Sequence, residues 1–428
     1  MSQRLNIKKT KKKIAPKINL KPEIVKINGY TLLLLPNNNS TITVTSYMNN
    51  GYINETRKNT GINHLLEHII FNAWKKCGHK PCMELFRYKG ISGNASTNTT
   101  TISYYAEGLK DHTNYIIDYI TSITTKPYLY NELIKSEKNP VMNELLIIDN
   151  NRVNKLYDKL YKNLFIQEGL QYFNDSGQQI RNLKHLTMAN MKKVISEYYV
   201  PSNIIYTVSG DYNKREILRN FRSKLPKNNS EIRTHSYINC FNEKCSRKII
   251  DIDPKATIAT ILYVFPVKMY AGVAGQYELN IALNCLQYLI GNYLRYVKKY
   301  TYGFNISKTV NKCGTVIAFK TNSNKKNIDD IYATFDKLIG KYQKELINSK
   351  LLNSEKRRYL FNFLNSYNSP DQLAEFYSKQ YIHQCDQGRR LYSPKEIKDI
   401  IMNIDLEKVR NSLRNVFGEF RIKAYQCY

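Results

Sequence analysis

The residues best equipped for chemistry sit in one pentapeptide, His64-Leu65-Leu66-Glu67-His68, which holds two of the seven histidines in 428 residues. The spacing predicts a helix over 61–76. Ile62, Leu65, Leu66, Ile69 and Ala73 then cluster on one face, while His64, Glu67, His68 and Phe71 fall on the other. Imidazoles four positions apart project side by side, so both can reach one metal ion. Glu67 lies beside His68, where its carboxylate can hold a water next to the metal and take its proton. Such a set suits metal-assisted hydrolysis. A polar helix face with two incidental histidines would share the amphipathic pattern, but it would not explain why the pair brackets a glutamate. Catalytic zinc usually takes three protein ligands and keeps one position open, so another ligand must come from elsewhere in the chain.

The pentapeptide resembles the inverted His-x-x-Glu-His helix of the pitrilysin/insulinase family of metallopeptidases. In that family a glutamate ligand follows on a later helix, about 76 residues beyond the second histidine, with an acidic residue about seven positions before it. Here Glu144 lies 76 residues after His68, within NPVMNELLIIDNN, and Glu137 precedes it by seven. The resemblance implies one zinc per chain on His64, His68 and Glu144, with Glu137 supporting the catalytic geometry. Pro140 departs from the continuous helix expected there, because proline removes a helix hydrogen bond and crowds the preceding turn. One solution makes Asn139 the N-cap and Pro140 the first helical residue, which keeps Glu144 in place but moves Glu137.

GISGNAST (90–97) resembles the family's substrate-binding segment, with Asn94, Ala95 and Thr97 in place and Ile91 where a second glycine is common. It implies an edge strand whose free N–H and C=O groups pair with an extended peptide. Read alone, the segment is an ordinary polar turn. LRYVKKYTYGFNIS (294–307) resembles the segment that carries the family's Arg/Tyr pair, and Arg295 and Tyr302 keep its spacing. In the family these groups position substrate or stabilise the tetrahedral intermediate, and both side chains are suitable donors to an oxyanion.

The elements that must position these residues alternate between strand-like and helix-like. TLLLLPNN and TITVTSYMN read as strands around an Asn-rich turn, 99–109 and 203–212 as further strands, and 112–124 and 130–149 as helices. The order partly recurs after a polar stretch, PKNNSEIRTHSY, with a strand at 256–267, a long helix at 275–299, strands around 303–321 and four further helices. No obvious sequence repeat accompanies it. The resemblance runs from about residue 27 to the C-terminus and implies an α+β fold of two homologous α/β-roll domains. The expected division is a flexible basic tail (1–24), a zinc-binding domain (25–225), a linker (226–246) and a second domain (247–428). The family's active unit usually has four such domains around its peptide or protein substrate, so a homodimer or a pairing with a sister chain is expected.

Lys and Arg number 65 against 35 Asp and Glu, a net charge of +30. Such a charge favours acidic partners, including nucleic acid and anionic membrane surfaces. Heavy use of Asn, Lys, Ile and Tyr also fits an AT-rich coding bias, of the kind found in large DNA viruses and some protozoan parasites. The chain lacks the interleaved aromatic and basic motifs that would single out a nucleic-acid binder. A catalytically silent structural subunit is the other alternative, and the complete His/His/Glu set argues against it. No apolar run reaches the ~18 residues of a membrane span. The N-terminal segment carries neither the apolar core of a secretory signal nor a clear amphipathic presequence pattern. Eight dispersed cysteines in such a chain predict a reduced, cytoplasmic setting. A four-cysteine zinc site from Cys77, Cys82, Cys240 and Cys245 would need two distant segments to meet.

Overall fold

Apolar runs build the first sheet. A computed structural model describes residues 20–227, 240–253, 255–267, 272–342, 347–384, 390–417 and 421–428, so most of the basic tail and of the linker lies outside the described residues. Strands β1 (Glu23–Ile27), β2 (Tyr30–Pro36), β3 (Thr41–Met48), β4 (Ser92–Thr97), β5 (Ile102–Leu109) and β6 (Ile204–Gly210) form one sheet in the order β1-β2-β6-β3-β5-β4. The run Leu32–Leu35 is buried throughout, as expected of a strand covered on both faces. β4 instead alternates between exposed and half-buried residues at the sheet edge. The strands on either side of the Asn-rich turn do not pair with each other, because β6 inserts between β2 and β3.

The second sheet comprises β7 (Lys248–Ile252), β8 (Ile258–Val267), β9 (Phe304–Asn311), β10 (Gly314–Asn324) and β11 (Ile422–Cys427), in the order β7-β11-β8-β10-β9. It repeats the first sheet without β1. In the first sheet β2 runs parallel to β6 and in the second β7 runs parallel to β11, and the remaining neighbours are antiparallel. The two homologous α/β units are therefore visible in topology, although the chain shows no matching sequence repeat.

Helices of the first half are α1 (Ile62–Asn72), α2 (Cys82–Lys89), α3 (Thr113–Thr125), α4 (Asn131–Asp149), α5 (Arg152–Leu164), α6 (Glu168–Tyr172), α7 (Ser176–His185), α8 (Met188–Tyr198) and α9 (Lys214–Lys224). Those of the second half are α10 (Gly272–Asn292), α11 (Ile328–Tyr342), α12 (Ser349–Asn365), α13 (Pro370–Gln384), α14 (Pro394–Met402) and α15 (Leu406–Val416). Each half lends a helix to the other. Leu373, Tyr377 and Ile382 of α13 pack on Leu33, Leu35, Tyr47 and Ile205 of the first sheet. Leu156, Leu160 and Leu164 of α5 pack with Leu262, Val264, Val316 and Ala318 of the second. A sheet face left bare would expose its apolar residues, so the exchange buries both outer faces and ties the halves together. Within it, the Ser378 hydroxyl lies 2.7 Å from that of Thr207, which satisfies both buried groups.

Two expectations are corrected. Pro140 does not begin a helix: α4 runs through it, with Tyr130 as N-cap. Leu133, Ile134, Val141 and Leu145 are buried on both sides of the proline, and this packing outweighs the lost hydrogen bond. Glu137 consequently keeps its place. Pro140→Ala restores a helix donor at an exposed position and is expected to stabilise the fold by about 1–3 kcal/mol, measured by urea unfolding. The cysteines are not all reduced, nor do they form a four-cysteine site. Cys77 pairs with Cys82 and Cys240 with Cys313, while Cys245, Cys285 and Cys427 are free and buried. Folding joins Cys240 to a partner 73 residues away, which no local spacing reveals. No helix among the described residues is long and apolar enough to cross a membrane.

Candidate metal centre

The buried face of α1 follows the sequence pattern, with Ile62, Leu65, Leu66, Ile69 and Ile70 in the core of the first half. Its N-terminus lacks a local cap. Gly61 occupies the N-cap position at φ +91°, and a Cβ there would meet Gln179 at 3.1 Å. Glu55 supplies the missing acceptor. Its carboxylate accepts from Gly61 N–H (2.8 Å), Asn63 N–H (2.9 Å) and the Thr60 hydroxyl (3.0 Å). Burial pushes the Glu55 pKa up to about 7, against the pull of these donors. Because the folded pKa lies above the ordinary 4.5, the folded state binds the proton more tightly. This group's contribution to stability is therefore full below 4.5 and declines as pH rises towards 7. Glu55→Ala strands buried donors and is expected to cost about 2–4 kcal/mol by chemical unfolding. It should also flatten the pH dependence in that window.

His64 and His68 leave the opposite face with ring centroids 5.1 Å apart. Both Nε2 atoms converge on one oxygen of Glu144, at 3.3 Å from His64 and 3.7 Å from His68. Ligand atoms of the three residues all lie within 4.8 Å of one another. Tetrahedral zinc with bonds of about 2.1 Å requires ligand atoms about 3.4 Å apart, so the donor set fits that ion. On its far side, His68 Nδ1 lies 3.6 Å from Glu137. An Nδ1–H held there leaves the Nε2 lone pair facing Glu144. Burial and the neighbouring His68 lower the His64 pKa, although Glu144 opposes them. The His68 pKa is raised: burial opposes this, but Glu137, Glu67 and Glu144 prevail.

Burial raises the Glu67 pKa, and Glu144 adds to the effect, while Thr97 bonds to its carboxylate through both side chain and backbone. Thr97 ends β4, and its hydroxyl also lies 3.3 Å from the Asn63 carbonyl of α1. Asn94 and Ala95 lie in the same edge strand. The strand is fastened next to α1 at Gly51, where a Cβ would meet Asn98 O at 2.3 Å. The next residues, Tyr52 and Ile53, donate backbone N–H bonds to Asn98 and Thr99.

The structure thus gathers His64, Glu67, His68, Glu137 and Glu144 into one cluster and sets β4 beside it. It does not bring Arg295 and Tyr302 there. Arg295 lies in a π-helical turn after α10, over the ring of Tyr296, and Tyr302 is 94% exposed. Among the described residues, neither has a hydrogen bond or ion pair to the cluster. The sequence reading missed Glu55, Asn72 and Tyr52. Tyr52 is half-buried, and desolvation together with the charges of Glu55, Glu67 and Glu144 raises its pKa. An uncapped helix N-terminus with an acid six residues upstream was the available signal for Glu55.

Comparison with known proteins adds ancestry to this geometry. The family model described as "Insulinase (Peptidase family M16)" matches residues 32–173, and "Peptidase M16 inactive domain" matches 185–359. The chain is 24% identical over 180 residues to mitochondrial-processing peptidase subunit beta of Dictyostelium discoideum, covering 42% of this chain and 38% of that one. It is 25% identical over 187 residues to the uncharacterized zinc protease YmxG of Bacillus subtilis, covering 43% and 45%. The matches thus span less than half the length of these relatives. The crystal structure of a protease from Helicobacter pylori shares the fold, with a TM-score of 0.78 at 17% identity over 96% of this chain and 100% of that one. Two models of one family account for most of the chain, and its paired sheets have the fold of a protease similar to it: the chain belongs to the insulinase family, peptidase family M16.

Proposed function

We propose that this protein is a zinc metalloendopeptidase, with His64, His68 and Glu144 holding the metal and Glu67 moving the proton. The observation that carries this reading is the convergence of two imidazoles on Glu144, with Glu67 projecting from the same helix beside an open strand edge. Zinc held there would supply Lewis acidity towards a water and a peptide carbonyl. Glu67 takes the proton from the attacking water and passes it to the departing amine. Its raised pKa suits it to both tasks, and Thr97 holds its carboxylate in line. Glu137 fixes the tautomer of His68. Asn94 and Ala95 offer backbone groups to an extended peptide, which binds as an added strand.

Arg295 and Tyr302 are proposed to donate to the developing oxyanion from the second domain, 247–428, while the zinc domain spans 25–225. Their exposure in the free chain means that bound peptide, or a second chain, must bring them in. A relative named as a subunit supports pairing with another copy or a sister chain. The test is to incubate the purified full-length protein with an unfolded polypeptide and map the products by mass spectrometry. Internal cuts that cease with a zinc chelator are expected. An uncut substrate, or cuts that persist in chelator, would contradict the proposal.

A further inference from the structure

We propose that Asn72 is a positioning residue for the metal centre, holding Glu137 against His68 while itself held by the backbone of Cys82. The inference rests on the reading of His64, His68 and Glu144 as a zinc site. Asn72 is the last residue of α1, one turn beyond His68. Its Nδ2 donates to Glu137 Oε1 at 3.1 Å. The other oxygen of that carboxylate is the one that faces His68 Nδ1, at 3.6 Å. Asn72 Oδ1 accepts the N–H of Cys82 at 2.9 Å. One amide therefore clamps a carboxylate with its donor end and a helix N-terminus with its acceptor end.

The amide cannot turn over without loss. A flipped Asn72 would set its oxygen against a carboxylate and its NH2 against an N–H, replacing two attractions with two repulsions. Its anchor is also firm. Cys82 opens α2, whose N-cap is Pro81 with no side-chain cap, so the Cys82 N–H depends on Asn72. The Cys77–Cys82 disulfide ties the same segment back to the chain just beyond α1. Glu137, by contrast, stands in a helix weakened three residues later by Pro140. A ligand histidine is oriented by the acceptor of its second nitrogen, so fixing that acceptor fixes the ring.

Asn72→Asp separates positioning from a purely structural role. Aspartate keeps an acceptor for the Cys82 N–H but sets a like charge against Glu137. Asn72→Leu removes both bonds and serves as the second variant. The measurements are zinc affinity of the full-length chain, by competition with a chromophoric chelator, and the melting temperature of the metal-free protein. Asn72→Asp is expected to weaken zinc binding about tenfold while leaving the metal-free melting temperature near that of wild type. In a Glu137→Gln background the penalty should nearly vanish, because the glutamine amide can donate to the carboxylate that Asn72→Asp introduces. Wild-type zinc affinity in Asn72→Asp, or a penalty undiminished by Glu137→Gln, would overturn the proposal. If the wild-type chain itself bound no zinc, the metal-site reading would fail and this inference with it.

Discussion

Glu67→Gln is expected to retain zinc and to lower kcat for peptide hydrolysis by roughly a hundredfold or more. The reasoning is geometric. Glu67 shares its helix face with both histidines, but the ligand atoms that cluster belong to His64, His68 and Glu144. Glutamine keeps the size and the hydrogen-bonding reach towards Thr97, so the fold around α1 should survive. It cannot take a proton at neutral pH. The loss should therefore appear in kcat, with KM little changed, because the proposed peptide site is the β4 edge rather than Glu67. Equal rates for variant and wild type would remove Glu67 from the reaction.

His68→Ala is expected to lose the metal, and hydrolysis with it. The imidazole offers Nε2 to the site shared with His64 and Glu144, and its Nδ1 faces Glu137. Removing the ring deletes one of the three proposed ligands and leaves Glu137 without the imidazole it faces. Changes in supporting residues alone typically cost 10–100-fold in metal affinity, so loss of a ligand should exceed about a hundredfold. Metal analysis after extensive dialysis measures it. Full occupancy in His68→Ala would displace this residue from the ligand set.

How far these features can be read in advance depends on how local their causes are. The helix of His64 and His68 declares itself, because its apolar face must repeat at helical spacing to be buried. The strands around Leu33 and Val44 do so too, the first through a continuous apolar run and the second through alternation of β-branched residues. β7 and β11 are harder to read: Asp251, Lys423 and Gln426 interrupt short segments that find each other only across the length of the second half, with Lys248 opposite Lys423. Glu55 acts on α1 only after the loop between them folds back, and Asn72 meets Glu137 across 65 residues of sequence. The continuous helix through Pro140 depends on tertiary burial that outweighs a local penalty. The exchange of α5 and α13 between the halves likewise follows from two sheets each needing a second cover. Resemblance to a family located the Arg295 and Tyr302 positions, but the chain alone leaves Tyr302 in solvent.

The central claim is that one zinc on His64, His68 and Glu144 enables this chain to hydrolyse peptides. Titrating metal-free protein with zinc while following cleavage of a quenched fluorescent peptide tests it directly. Activity should be absent at the start, rise in proportion to added zinc and saturate at about one zinc per chain. Full activity before any metal is added, or no activity after one equivalent has bound, would contradict the account.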